Sequence, residues 1–344
     1  MAGKRRTDTN GRPKRVTLQD IAREAGVHVM TVSDALNGTR RVAPATRERV
    51  RRIAQELNYV PNSAARALVT GRTGVIAVLN GILSEPYYAN MAHLIEVQLA
   101  ASGYKMMLLR TRQDVQSIVD ATSSFAVDGI IAVAEYHYME EFFRLGNERV
   151  RSCVFVDTSN PDFVDHVTLD LTRGATQALD MMVAAGRKRI AYLMNEDGEA
   201  CRREAYESCV AKLGREPEFI SVDSHLPPRE RTNSIRDYLR RHGCPEGLFC
   251  HNDETAMYAY HALFSAGYRI PDDVLLVGFD GLPHMECFNP PLSTVAHPME
   301  EMCALAWQFL QQRMAAPDAP FQSATVHSHL LARASLGVEE KDEG

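Results

Sequence analysis

With 344 residues, 45% of them apolar and 24% charged, the chain has ordinary globular composition and is too long for one ordinary domain. No stretch approaches the roughly 18 consecutive apolar residues of a bilayer-spanning helix, and Met1-Ala-Gly-Lys-Arg-Arg6 has no apolar segment behind it to make a leader, so the expected location is the cytoplasm, with no membrane partner. The net charge of −6 conceals a segregation: residues 1–72 hold 15 Lys and Arg against 6 Asp and Glu, the remainder 23 against 38. One compact basic module on an acidic chain is the footprint of a protein that neutralises phosphates with a single domain.

Residues 1–15, with Lys4-Arg5-Arg6 and Lys14-Arg15, read as a basic flexible tail. Thr17-Leu-Gln-Asp20 is a capping-box pattern, and Leu18, Ile21, Ala22 and Ala25 recur at helical spacing until Gly26 breaks the run. From His28 to Leu36 a second helix places Val32, Ala35 and Leu36 on one face and Met30, Thr31, Ser33 and Asp34 on the other, before Asn37-Gly38 ends it. A third starts at Pro44 and repeats the spacing with Val50, Ile53, Ala54 and Leu57, leaving Arg47, Arg49, Arg51 and Arg52 outside. Two short helices around a glycine turn with a third beneath predict an all-α helix-turn-helix headpiece over 16–60, followed by a linker over 61–72.

From residue 74 apolar runs alternate with helical segments, the grammar of βαβ units. Buried strands are predicted at 75–79, 105–109, 129–133 and 152–156, with helices near 88–102, 112–126 and 136–147. The series restarts with strands at 189–193, 218–222, 247–250 and 274–277 between helices near 173–185, 200–213, 229–242 and 253–266. Two such series predict an α/β core of two doubly wound parallel sheets with a ligand cleft between them. Seven cysteines without a CxxC pair and twelve scattered histidines suggest neither disulfides nor a metal site, and no cofactor is expected.

Open parallel sheets bind ligands beyond the carboxyl ends of their strands. Asp157 follows one strand, Asn252 and Asp253 another, and Asp280 ends Val277-Gly-Phe-Asp280. Together with Arg202 and the aromatic Tyr87, Tyr88 and Phe288, they suit a small polyhydroxylated ligand, which needs hydroxyl partners and a stacking face. A strand-end Asp is equally a helix cap or turn former, and Asp253 stands directly before a helix. Asp157 and Asp280 would also make a carboxylate pair for catalysis, but no nucleophile elbow, phosphate-binding glycine loop or metal-ligand cluster accompanies them, and an enzyme is not expected.

From about Val16 to Gly337 the chain resembles the lactose-repressor/galactose-repressor family of bacterial transcription regulators. The resemblance is carried by Val16-Thr-Leu-Gln-Asp-Ile-Ala-Arg-Glu-Ala-Gly-Val27, Thr31-Val-Ser-Asp-Ala-Leu-Asn-Gly38, Thr46-Arg-Glu-Arg-Val50, Leu57-Asn-Tyr-Val-Pro-Asn62, Asn252-Asp253, Val277-Gly-Phe-Asp280 and Pro290-Pro-Leu-Ser-Thr294, in family order and spacing. It implies a homodimer on a pseudo-palindromic operator and a periplasmic-binding-protein-like core, over 73–336, that senses a sugar-like metabolite. The first subdomain would take 73–168 and 297–322, the second 169–296 and 323–336, and 337–344 would be a disordered tail.

The resemblance also assigns roles. Val29, Met30 and Asp34 take the positions that face base edges, Thr31 and Ser33 those near phosphates, with Thr17 and Asn37 among the DNA contacts. The family often has Arg at Asp34 and Ser at His28, so the preferred operator should differ; alternatively Asp34 pairs with Arg40 or Arg41 and touches no base. Asn62 to Leu68 fits a hinge helix, with Ala65 allowing close approach in the minor groove and Leu68 as the wedge that opens a base step. The effector site maps to Tyr87, Tyr88, Asp157, Arg202, Asn252, Asp253, Asp280 and Phe288, with Met299 as a further wall. A core that only dimerises and senses nothing is the competing reading.

Overall fold

The computed structural model describes residues 16–37, 42–59, 72–81, 83–110, 127–134, 152–157, 163–195 and 200–338. The chain divides into two compact units, Met1–Thr73 and Gly74–Gly344. The expected basic tail, the hinge residues Asn62, Ala65 and Leu68, the helices near 112–126 and 136–147 and residues 339–344 lie outside the described residues.

The headpiece comprises α1 (Leu18–Ala25), α2 (Val29–Asn37) and α3 (Pro44–Glu56). The capping box forms: Asp20 N–H donates to Thr17 Oγ1 at 3.3 Å and Thr17 N–H to Asp20 Oδ2 at 3.0 Å, satisfying two donors the first turn leaves open. Gly26 closes α1 in the left-handed region, φ 61°, where a side chain would be strained. His28 starts α2, its Nδ1 accepting Met30 N–H at 3.3 Å, the service a serine hydroxyl ordinarily gives at a helix start. Ile21, Ala22, Ala25, Val32, Ala35, Val50, Ile53 and Ala54 make one small buried core.

The larger unit contains β1 (Val75–Asn80), α4 (Pro86–Ala101), β2 (Lys105–Arg110), β3 (Gly129–Val133), β4 (Cys153–Val156), β5 (Asp165–Asp170), α5 (Thr172–Ala184), β6 (Ile190–Asn195) and α6 (Ala200–Lys212). It continues with β7 (Glu218–Val222), α7 (Pro228–His242), β8 (Gly247–Cys250), α8 (Asp253–Ala266), β9 (Leu275–Asp280), β10 (Ser293–Ala296), α9 (Met299–Ala315), β11 (Ser323–His327) and β12 (His329–Leu331). The first sheet runs β11-β5-β4-β3-β1-β2, all neighbours parallel. The second runs β12-β10-β9-β8-β6-β7, parallel except for β12.

Strand alternation sorts the second sheet's side chains onto its two faces. Ile190, Tyr192, Phe249, Leu275, Val277 and Phe279 pack with Ala178, Leu179, Met182 and Tyr206 of α5 and α6. Ala191, Leu193, Leu248, Cys250 and Leu276 pack with Ile235 and Leu239 of α7 and Ala259 and Leu263 of α8. Helix α9, within the 297–322 stretch assigned to the first subdomain, returns to the first sheet against β3, β4, β5 and α4.

Four strands stand outside the eight expected: β5, β10, β11 and β12. Asp165-His-Val-Thr-Leu-Asp170 has no apolar run because its first residue is a buried ion-pair partner: Arg313 of α9 donates to Asp165 twice, both bonds at 2.8 Å. Ser293–Ala296, assigned to the second subdomain but not read as a strand, is a strand of the second sheet. The subdomain division also needs correction. Ser323–His327 pairs in parallel with β5 in the first sheet, and only after Ser328 does the chain reach the second through β12.

The chain therefore passes between the sheets at Asp170 to Thr172, Ala296 to Met299 and His327 to His329. Ser328 knits two passages together: its N–H and its hydroxyl each donate to Asp170 O at 3.0 Å, and its Oγ accepts Gly174 N–H at 3.3 Å. Gly174 has no room for a side chain, since a Cβ there would lie 2.3 Å from Val295 Cγ1.

Candidate DNA-reading surface and effector cleft

On α2 the apolar side is buried through Val32 and Ala35, and Met30 is 54% exposed, the most outward of the expected base-reading residues. Thr31, Ser33 and Asp34 are half-buried. Val29 turns partly inward against the headpiece core, so it offers less to a base edge than expected. Thr17 is exposed, but its hydroxyl already serves α1, also donating to Asp20 Oδ2 at 2.7 Å. Asn37 is the last residue of α2.

In the core, the carboxyl ends of the strands bring together much of the expected site. Asp157, just past β4, and Asp280, closing β9, are both non-glycine residues with positive φ, 57° and 115°. Such backbone costs about 1–3 kcal/mol and is retained where a side chain has to be aimed. Tyr87, in the first turn of α4, donates its hydroxyl to Asp157 Oδ2 at 2.6 Å. Burial, and then the Asp157 carboxylate, hold the Tyr87 phenol well above its ordinary pKa, so it stays a donor. The ring of Tyr88 stands 5.4 Å from that of Tyr87 and lies over Gly81, where a Cβ would come within 2.6 Å of it.

From Tyr87 a string of rings and polar groups runs into the second sheet. Its ring meets the His297 edge at 5.6 Å, and His297 meets Phe279 at 5.8 Å. The Arg202 guanidinium lies 4.7 Å from the Phe279 centroid, and its Nη1 is 3.3 Å from His251 Nε2. Arginine only donates, so His251 Nε2 accepts; the ring proton then sits on Nδ1 and points to the Tyr192 hydroxyl at 3.1 Å. Burial first, and Arg202 second, push the His251 imidazole well below its ordinary pKa, and His297 is depressed by the same two causes. Both rings are therefore neutral near pH 7.

Three expected contacts stand elsewhere. Asp253 is fully enclosed, its Oδ2 accepting Leu282 N–H at 2.7 Å, and burial foremost pushes its carboxyl up to about 7. It is a strut for the turn after β9, and it explains the bare Gly278: a Cβ there would fall 2.1 Å from Asp253 Oδ1. Asn252 caps α8, its Oδ1 accepting from Thr255 N–H at 2.8 Å and Thr255 Oγ1 at 2.6 Å, which leaves only its amide nitrogen to offer a ligand. Phe288 packs edge-on against Tyr260 of α8 at 4.9 Å, alongside the α7–α8 core, rather than joining the string from Tyr87 to Arg202. Met299 is buried at the start of α9.

Comparison with known proteins supplies the family. Residues 17–62 match the description "Bacterial regulatory proteins, lacI family", and residues 179–336 match "Periplasmic binding protein-like domain". The HTH-type transcriptional repressor PurR of Mannheimia succiniciproducens is 28% identical over 330 residues, covering 93% of this chain and 98% of that protein. The chain carries a lacI-family DNA-binding region followed by a periplasmic-binding-protein-like domain. Among solved structures, the lac repressor dimer bound to operator and the anti-inducer ONPF superposes with a TM-score of 0.81 at 22% identity, covering 94% of this chain and 99% of that one. The transcriptional regulator CelR in complex with cellobiose does so with a TM-score of 0.66 at 25% identity, covering 93% and 100%. The chain is thus a DNA-binding transcriptional regulator with the two-sheet core of its family.

Within that family frame, sequence reasoning missed two buried polar residues. Asn80, at the end of β1, is 1% exposed; its Nδ2 donates to Tyr88 O at 2.9 Å while its Oδ1 has no partner among the described residues. His297 is 7% exposed, and neither of its ring nitrogens has a hydrogen-bond partner among the described residues. Leaving a buried polar group unmet costs about 1–3 kcal/mol. No local pattern marks either residue, because a polar residue at the end of a short strand looks the same whether its side-chain atoms are met or not.

Proposed function

We propose that the chain is a ligand-gated transcriptional repressor, binding a pseudo-palindromic operator as a homodimer and sensing a small sugar-like effector between the two sheets of its core. The observation that carries this reading is the string from Asp157 and Tyr87 through His297 and Phe279 to Arg202 and His251, which joins strand ends of both sheets through buried polar and aromatic groups. A ligand meeting Asp157, Tyr87, Arg202 and Asp280 touches both halves at once. Its differential affinity for two arrangements of the sheets would then bias the passages at residues 170–172, 296–299 and 327–329. The PurR relative is named a repressor, and the CelR structure holds cellobiose, which support repression and carbohydrate sensing here.

The reading is one of binding rather than catalysis, and it places the protein in the cytoplasm, where operators are. Among the described residues no helix is long and apolar enough to cross a membrane. The test is fluorescence anisotropy of the purified protein on DNA from upstream of its own gene, at one stated salt concentration, with and without a panel of neutral sugars. Specific binding altered by a panel member is the expected result. Specific binding indifferent to every member would favour a core that only dimerises.

A further inference from the structure

We propose that Asp128 is a positioning residue for operator binding: its carboxylate holds the peptide at which the headpiece's chain enters the core, and so makes that entry follow the first sheet. The part of the proposal that concerns the effector rests on the reading above; the part that concerns the operator stands without it.

The two compact units join in sequence at the Thr73–Gly74 peptide. The N–H of that peptide donates to Asp128 Oδ2 at 2.9 Å, across 54 positions of chain. Gly74 lies in the left-handed region, φ 72°, where a residue with a side chain would be strained. Its carbonyl accepts the N–H of Lys105, the first residue of β2, at 2.9 Å, and Val75 O accepts Asp128 N–H at 2.8 Å. The first residue of the core is thereby bonded on two sides, to β2 and to the residue before β3. The backbone beside Asp128 is held in turn: Gly129 is buried at the head of β3, where a Cβ would come within 2.8 Å of Leu310 Cδ1 of α9.

The strands that begin at this clamp end in the cleft. β1 and β3 pair in parallel and are buried almost throughout. β1 closes with Asn80, whose Nδ2 donates to Tyr88 O at 2.9 Å. β3 is followed by Ala134, φ 54°, whose N–H donates to Val156 O at 2.9 Å, one residue before Asp157. Close-packed paired strands transmit displacement instead of absorbing it. A shift of the first sheet at its carboxyl ends therefore reaches Gly74 as a change in the direction of the chain. With the Asp128 bond cut, the entry becomes a slack joint whose backbone freedom has to be given up again on DNA, a cost of about tenfold in affinity for one residue.

The experiment uses the full-length protein and three variants. Asp128→Ala removes the acceptor, Asp128→Asn keeps a carbonyl acceptor in its place, and Gly74→Ala disturbs the clamp from the other side. Anisotropy on the upstream DNA fragment that the wild type binds specifically, thermal midpoints, and calorimetry with neutral pentoses, hexoses and cellobiose are compared. Asp128→Ala and Gly74→Ala should each weaken operator binding about tenfold, while binding any responding sugar as the wild type does. The change in operator affinity which that sugar causes should shrink in both. Asp128→Asn should stay within a few-fold of the wild type. A merely structural carboxylate would give a lowered midpoint with operator affinity unchanged, and that result overturns the proposal. Asp128→Asn as weak as Asp128→Ala overturns it too, since the charge and not the bond to Gly74 would then be the cause. If Asp128→Ala has no cooperative unfolding transition, Gly74→Ala and Asp128→Asn decide by the same criteria. A wild type that responds to no sugar removes the effector reading, and the operator affinities alone then uphold or overturn this inference.

Discussion

Arg313 and Asp165 form a two-pronged ion pair, both bonds 2.8 Å, with side chains only 4% and 0% exposed. The same guanidinium donates to the carbonyls of Pro317, Ala319 and Pro320, so it ties α9 to β5 and to the turn that leads into β11. Removing one partner leaves a buried, uncompensated charge. Arg313→Ala is expected to lower stability by about 3–5 kcal/mol, and adding Asp165→Leu to recover much of that loss. Denaturant unfolding of the three proteins checks it; a single mutant within 1 kcal/mol or so of the parent would contradict the pair's structural role.

Gly174→Ala tests the knot at the crossings. The added methyl would lie 2.3 Å from Val295 Cγ1 and 2.7 Å from Ser328 Oγ, neither of which is the far end of a flexible chain. Overpacking of this kind costs about 1–3 kcal/mol. The urea midpoint should fall accordingly, and an unchanged midpoint would mean the passages can shift apart freely.

A pH dependence follows from Asp253, whose carboxyl is pushed up to about 7 by burial foremost. An unfolded aspartate titrates near 3.9 (about the reference value), so between there and neutrality the folded chain holds a proton the unfolded chain lacks. This group therefore makes the protein less stable as pH rises from about 4 to about 7, with no further change above. Asp253→Asn should gain stability relative to the parent between about pH 5 and about pH 8. Parallel profiles for the two proteins in denaturant unfolding would show that Asp253 is not protonated in the folded state.

The two buried imidazoles act in the opposite direction. His251 and His297 are held well below the ordinary histidine value, by burial and by Arg202. Below about pH 6.5 the unfolded chain takes up protons that these folded groups refuse, so stability falls as pH falls through that value. A His251→Phe, His297→Phe pair should flatten the acid limb of the profile. An acid limb as steep as the parent's would assign it to other groups.

Asp280→Ala is expected to abolish the effector response while operator binding persists, because the carboxylate closes β9 in the cleft and the headpiece core is built from other residues entirely. Its left-handed backbone, φ 115°, is strained for alanine as well as for aspartate. Asp280→Gly should therefore be at least as stable as Asp280→Ala and equally silent. Anisotropy titrations with and without a responding sugar read the first expectation. A retained response removes Asp280 from the site.

Much of the architecture is legible in the residues because it is locally encoded. The capping box of Thr17 and Asp20, the left-handed stop at Gly26 and the apolar spacing of Ile21, Ala22 and Ala25 each act within a few residues, and α1 forms where they place it. The apolar runs at Val75, Gly129 and Gly247 become central strands for the same reason: buried on both faces, they need no polar alternation. β5 was hidden because Asp165 is admitted to the interior only by Arg313, some 148 positions away in the chain. β11 was assigned to the wrong sheet because a half-exposed edge strand shows no preference of its own.

The sequence by itself therefore determined the headpiece, the two-sheet core and the strand ends at which polar residues gather, since caps, periodicity and apolar runs are short-range properties. Only the tertiary structure decided which of those polar residues face one another. Asp157 bonds Tyr87, and the Tyr87 ring meets His297, which meets the Phe279 ring that Arg202 covers, whereas Asp253 is sealed under Gly278 and Phe288 packs on Tyr260. That outcome depends on strand order and on close approach between distant segments, where a missing Cβ or an unmet nitrogen settles the contact, and neither leaves a trace in local spacing.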